Sequence, residues 1–157
     1  MPTILVLCRA NQFRSPLVEH ALRARLDPAL WQVSSAGMWA QDGFPATCRL
    51  EAWSGLAGIA AHRSRALKAG MLAQADLVLV MERGQKEALA LEFPETAGRV
   101  FLLSEMSARL AYDIPDPALG DENPQKLVDE ILGLVASGLP RIMELAEANA
   151  TDRARAA

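Results

Sequence analysis

The 157-residue chain is poor in cysteine and histidine and has no long apolar run, and each shortage removes a class of protein. Its two cysteines, Cys8 and Cys48, are too few for a disulfide framework. No Cys-x-x-Cys pair or Cys/His cluster offers zinc spacing, so no metal is expected. No apolar stretch of about eighteen residues occurs, which argues against insertion in a membrane. The amino-terminal MPTILVLC lacks the basic start and small-residue cleavage site of a secretory signal, so a cytoplasmic location is expected. A basic excess is missing as well. The net charge of -3 does not suit a protein that coats nucleic acid. Residues 1–75 carry eight Lys/Arg against four Asp/Glu, and residues 76–157 carry eight against fifteen. Ordinary surface scatter accounts for this division as well as an anion site in the first half does.

What is present is an alternation of short apolar runs with helical patterns. TILVLC (3–8) reads as a buried strand. Ser15-Pro16 then opens a helix, Ser as its N-cap and Pro in its first turn. Leu17, Val18, Ala21, Leu22 and Leu26 share one face of it, and Asp27-Pro28 stops it. WQVSSAG (31–37), ADLVLVM (75–81) and RVFLL (99–103) read as further strands. Residues 45–56 read as a helix with Leu50 and Trp53 on its inner stripe, and ERGQKEALALEF as another. YDIPDPALGDENP (112–124) is a loop. From Pro124 a long helix follows, which Gly138 and Pro140 should bend or break. Residues 1–148 are expected to form a single domain, and 149–157 a disordered tail.

Strands alternating with helices imply an α/β fold, a parallel sheet with helices on both faces. Ligands of such sheets bind beyond the carboxyl ends of the strands, where Cys8 falls. A loop from strand end to helix start can turn its N–H groups inward as an anion nest, and the helix adds the positive end of its dipole. A cysteine there is held as a thiolate nucleophile by the same donors. Arg14 supplies a planar fork matched to two phosphate oxygens, and Ser15 can donate its hydroxyl to the sulfur. The bland alternative for Cys8 is a small buried hydrophobe. Expelling an alkoxide or phenoxide from phosphorus also needs an acid. Asp113 and Asp116 are the candidates, against the alternative that Asp-Pro merely makes a turn.

CRANQFRSP, SSAG (34–37), AHRSR (61–65), ADLVLVME (75–82), FPETAGRVFLL (93–103) and DIPDP (113–117) together resemble, in order and spacing, the low-molecular-weight protein tyrosine phosphatases. The resemblance covers Ile4 to about Ala146. It implies a four-stranded parallel sheet with flanking helices (flavodoxin-like), and a two-step phosphatase without metal or other cofactor. In that family's scheme Cys8 would attack phosphorus, the loop Arg9, Ala10, Asn11, Gln12, Phe13, Arg14 and Ser15 would hold the oxygens, and Asp116 would protonate the leaving group. Asn11 would brace the loop in an unusual backbone conformation, joined by Ser15, Ser35 and His62. The resemblance implies a phosphorylated protein as partner, with a bacterial tyrosine kinase of polysaccharide export as one candidate, and a monomer or weak dimer.

The departures bear on substrate and redox behaviour. Ala10 stands where the family usually has Gly, which matters only if that residue needs positive φ. Phe13 replaces a frequent second cysteine, so no reversible disulfide is expected for Cys8. Gln12 matches neither the branched aliphatic residue of tyrosine-directed members nor the Thr of phosphoarginine-directed ones. Ala118 and Leu119 follow Asp-Pro where an aromatic often walls the substrate slot, leaving Trp39 or Arg9 as the expected wall. Four readings stand: a phosphotyrosine phosphatase, a phosphoarginine phosphatase, an arsenate reductase, which would need more cysteines, and a phosphate-binding module with weakened catalysis.

Overall fold

The computed structural model describes residues 1–107, 110–120 and 123–157. Four parallel strands, β1 (Thr3–Cys8), β2 (Gln32–Gly37), β3 (Leu77–Val80) and β4 (Val100–Leu102), lie in the order β2-β1-β3-β4. Leu5 pairs with Ser34 on one side and Val78 on the other, so β1 is central. Its side chains alternate between two cores: Ile4, Val6 and Cys8 join one cluster, Leu5 and Leu7 the other. A strand apolar at every position therefore means a sheet covered on both faces.

The helices are α1 (Arg14–Arg23), α2 (Leu50–Ser54), α3 (Ala69–Gln74), α4 (Arg83–Glu92), α5 (Leu103–Ser107) and α6 (Pro124–Ala156). The connection after β1 leads to β2 on one flank, and the next strand returns to the other flank of β1. The carboxyl end of β1, with Cys8 at its tip, is thus the switch point where such sheets open a crevice.

Several local expectations are corrected. Phe13, not Ser15, precedes α1, and no side chain caps it; the Ser15 hydroxyl is buried and turned to the loop. The helix expected over 45–56 is confined to Leu50–Ser54, because Pro45 instead bridges Arg63 in antiparallel fashion. Gly138 and Pro140 do not interrupt α6. At Gly138 a Cβ would stand 2.9 Å from Met106 Cβ, so this glycine serves the close approach of α5. The expected disordered tail is helical to Ala156. Arg153 holds it there, donating to Asp76 Oδ1 at 2.7 Å and to the carbonyls of Gln74 and Ala73, while Asn149 Nδ2 donates to the Asp76 carbonyl. Among the described residues, no helix is long and apolar enough to cross a membrane.

Gly37 ends β2 beneath the loop that follows Cys8. A Cβ on it would lie 2.5 Å from Ala40 Cβ and 2.7 Å from the Arg9 carbonyl oxygen. Gly37→Ala is expected to cost ~1–3 kcal/mol through forced displacement of this seam, read as a lower Tm in thermal unfolding. Ending the chain at Ala148, which removes the Arg153 clasp, should lower Tm as well.

Candidate active site

The loop 8–14 is shaped by where its carbonyls go. The Cys8 carbonyl accepts from Met38 N–H, Arg9 from Trp39 N–H, Gln12 from Thr47 N–H and Phe13 from Leu17 N–H. The Asn11 carbonyl accepts from His62 Nε2 at 2.8 Å, which places the ring proton on that nitrogen. Each partner lies outside the loop. In a trans peptide the next N–H points opposite to the carbonyl, so outward carbonyls turn the following N–H groups inward. Asn11 N–H reaches Cys8 Sγ at 3.2 Å, and Ser15 Oγ lies 3.0 Å from the same sulfur. The sulfur thus faces one backbone N–H and one hydroxyl at hydrogen-bond distance.

Asn11 is the pivot. Its φ is 58°, a left-handed value that Asn tolerates better than most residues. Its amide nitrogen donates to Ser15 Oγ at 2.8 Å and Ser35 Oγ at 2.9 Å, and its Oδ1 accepts Arg65 N–H at 2.9 Å. The four residues expected behind the loop, Asn11, Ser15, Ser35 and His62, are thus joined in one network, buried except at His62. Arg65 is an added member, its side chain also donating to the Ser35 carbonyl. Ala10 has no positive φ, so its methyl brings no strain.

Arg14 is 2% exposed. Its Nη1 donates to Glu82 Oε1 at 2.6 Å and to the Ile114 carbonyl at 2.7 Å, and its Nη2 lies 3.5 Å from Asp116 Oδ2. Asp116 also lies 3.5 Å from Arg9 Nε, and its Oδ1 accepts Ala118 N–H within the turn made by Pro117. The other acid candidate points elsewhere: Asp113 accepts from Arg83 N–H and Nε at the start of α4 and is exposed. Glu82 escaped the sequence reading although it ends ADLVLVME, at the carboxyl end of β3. The rule that located Cys8 applied to it equally. Gln85 Oε1 accepts Glu82 N–H in a capping box at the start of α4, where the Glu82 carboxylate meets the Gln85 N–H as well as Arg14.

Behind the loop, Glu19, His20 and His62 offer ligand atoms within 4.8 Å of one another. The Glu19 carboxylate already has Arg23 Nη1 at 3.7 Å, with which a cation would compete. Burial pushes His20 below its usual value, against the opposing pull of Glu19.

Cys8 and Arg14 open into a cavity of about 230 Å³ that Asp116 and Ala118 also line. Of the residues expected at its rim, Trp39, Arg9 and Leu119 lie off it. Trp39, 63% exposed, borders a separate hollow with Phe44, and Arg9 sits over its ring at 5.6 Å. Leu119 is 68% exposed and does not line the cavity. The two hollows are divided at Gln12 and Ala10, which border both. Thr47, Trp53 and Pro124 complete the Cys8 cavity, and none of them was expected there.

A family model described as low molecular weight phosphotyrosine protein phosphatase matches residues 3–151. The probable low molecular weight protein-tyrosine-phosphatase EpsP of Ralstonia nicotianae is 39% identical over 118 residues, 73% of this chain and 77% of that protein. The protein-arginine-phosphatase of Geobacillus stearothermophilus is 35% identical over 115 residues, 73% of this chain and 77% of that protein. Among solved structures, the YwlE arginine phosphatase of the same organism superposes with TM-score 0.78 at 31% identity, covering 99% of this chain and 97% of its own. The tyrosine phosphatase Wzb of Escherichia coli K30, in complex with sulphate, gives 0.74 at 28% identity, covering 92% and 98%. A sulfur-centred loop of this geometry, on a sheet of this order, in a chain matched almost end to end, places the protein in the low molecular weight phosphotyrosine protein phosphatase family.

Proposed function

We propose that the protein hydrolyses phosphotyrosine in proteins through a cysteinyl-phosphate intermediate. One observation carries this reading: Cys8 Sγ takes the Asn11 N–H and faces the Ser15 hydroxyl at the floor of a cavity that also holds Arg14 and Asp116.

In the first step the Cys8 sulfur attacks phosphorus and the bond to the leaving oxygen breaks. The inward N–H groups of residues 9–14 and the Arg14 fork hold the equatorial oxygens, most tightly as charge spreads over them in the transition state. The phosphate takes over the Arg14 Nη2 that Asp116 now contacts. The Asp116 carboxyl then serves the leaving oxygen and gives it a proton. In the second step Asp116 takes a proton from water, the water oxygen bonds to phosphorus, and the sulfur–phosphorus bond breaks to release phosphate. Sulfur, amides and guanidinium together supply the nucleophile and charge stabilisation, so the scheme has no step for a metal.

Relatives named as tyrosine phosphatases support phosphotyrosine as the substrate group. Phosphoarginine is the second reading, supported by the arginine phosphatase relatives. The partner is a phosphorylated protein, and a tyrosine kinase of polysaccharide export is the candidate to which the family resemblance points.

Hydrolysis of phosphotyrosine peptides in chelator is expected to persist in the wild type and to vanish in Cys8→Ser; equal activity in that variant sinks the scheme. Asp116→Ala should lower kcat by about 10²–10⁴-fold with little change in binding, while Asp113→Ala leaves kcat near its original value. Glu82→Ala should lower kcat/KM by about 10²-fold through misplacement of Arg14, with Glu82→Gln in between, in steady-state kinetics.

A further inference from the structure

The proposed chemistry leaves open what receives the organic part of the substrate. Among the described residues after Asp116, Pro117, Ala118 and Pro124 line the cavity, and none is aromatic. The aromatic lining comes from elsewhere: Phe13 of the loop and Trp53 of α2. Their ring centroids are 6.3 Å apart at 38°. Trp53 is held on several sides. Its N–H donates to the Arg49 carbonyl at 3.0 Å, its carbonyl accepts Gln125 Nε2 at 3.0 Å, and the Arg49 guanidinium lies 5.8 Å from its ring. The backbone that carries the wall is thus tied to the start of α6, and the ring is bordered by Phe13 and Arg49.

Size and charge point to the same occupant. An apolar cavity of about 150 Å³ accommodates benzene. About 230 Å³ thus leaves room for a phenyl ring with its phosphate above Cys8. Arg14 lies in the cavity and Arg49 over Trp53, while among the described residues Asp116 is its one carboxylate. That balance disfavours a cationic guanidino group and leaves a neutral ring unpenalised. Trp39 cannot serve, since it borders the other hollow.

We infer that Trp53, seated against Phe13, is the aromatic wall that receives the leaving-group ring and makes the protein prefer aryl phosphates to guanidino phosphates. This rests on the phosphatase reading above. The test compares wild type, Trp53→Ala, Trp53→Phe and Trp39→Ala on phenyl phosphate and phosphoarginine, with inhibition by inorganic phosphate as a check on the loop. Trp53→Ala should raise KM for phenyl phosphate about three- to tenfold, the size of one aromatic contact, with kcat and phosphate inhibition unchanged. Turnover of phosphoarginine should not fall, and Trp53→Phe should recover most of the loss. An unchanged KM in Trp53→Ala overturns the inference, as does a rise in Trp39→Ala instead. Loss of phosphate inhibition in both Trp53 variants assigns the residue to loop support and overturns it too. A wild type inactive on both esters yet bound by phosphate defeats the phosphatase reading itself, a result distinct from all of these.

Discussion

The site depends on one constraint: the carbonyls of residues 8, 9, 11, 12 and 13 are each claimed by a donor outside the loop. A seven-residue loop left to itself would satisfy its own backbone or water. Here its acceptors are occupied by Met38 and Trp39 just past β2, by Leu17 of α1, by Thr47 and by His62, and planarity of the peptide turns the following N–H groups the opposite way. Asn11 makes this possible by accepting a left-handed backbone and anchoring it with three side-chain bonds. An amide-lined cup of this kind stabilises charge without rearranging, which is what a transition state with spreading negative charge requires.

Charge is handled by the same economy of position. Arg14 is nearly inaccessible, and a buried guanidinium needs partners for its several donors. Glu82 and the Ile114 carbonyl take one end of the fork, which leaves the other to face Asp116 and the cavity. Glu82 fixes one end of the Arg14 fork, and Asp116 lies 3.5 Å from the other.

Much of this was legible in the chain. β1 and β3 read as strands because residues 4–8 and 77–80 are unbroken apolar runs, the mark of a sheet covered on both faces. Cys8 and Arg14 followed from strand end, spacing and the helix start. For the Ser15 hydroxyl the sequence offers two roles, a helix cap and a partner of the sulfur; the fold drops the cap and keeps the sulfur contact, with Asn11 donating to the same oxygen. The tail looked disordered because its anchors are remote: Asn149 and Arg153 reach Asp76 across more than seventy residues. Trp53 was placed on an inner helical stripe, and it is partly buried against Phe13. That α2 starts at Leu50 and borders the cavity depends on contacts with Gln125 and Arg63 that no local pattern encodes.

The span of those contacts sets an order of assembly during synthesis. Cys8 leaves the ribosome early, yet Arg14 finds Glu82 68 residues later and the Ile114 carbonyl 100 residues later. His62 and Arg65, which hold Asn11, also arrive well after the loop. The nascent chain therefore carries an unshielded thiol for most of translation, and Arg14 gains its last backbone partner only once the segment bearing Ile114 has emerged.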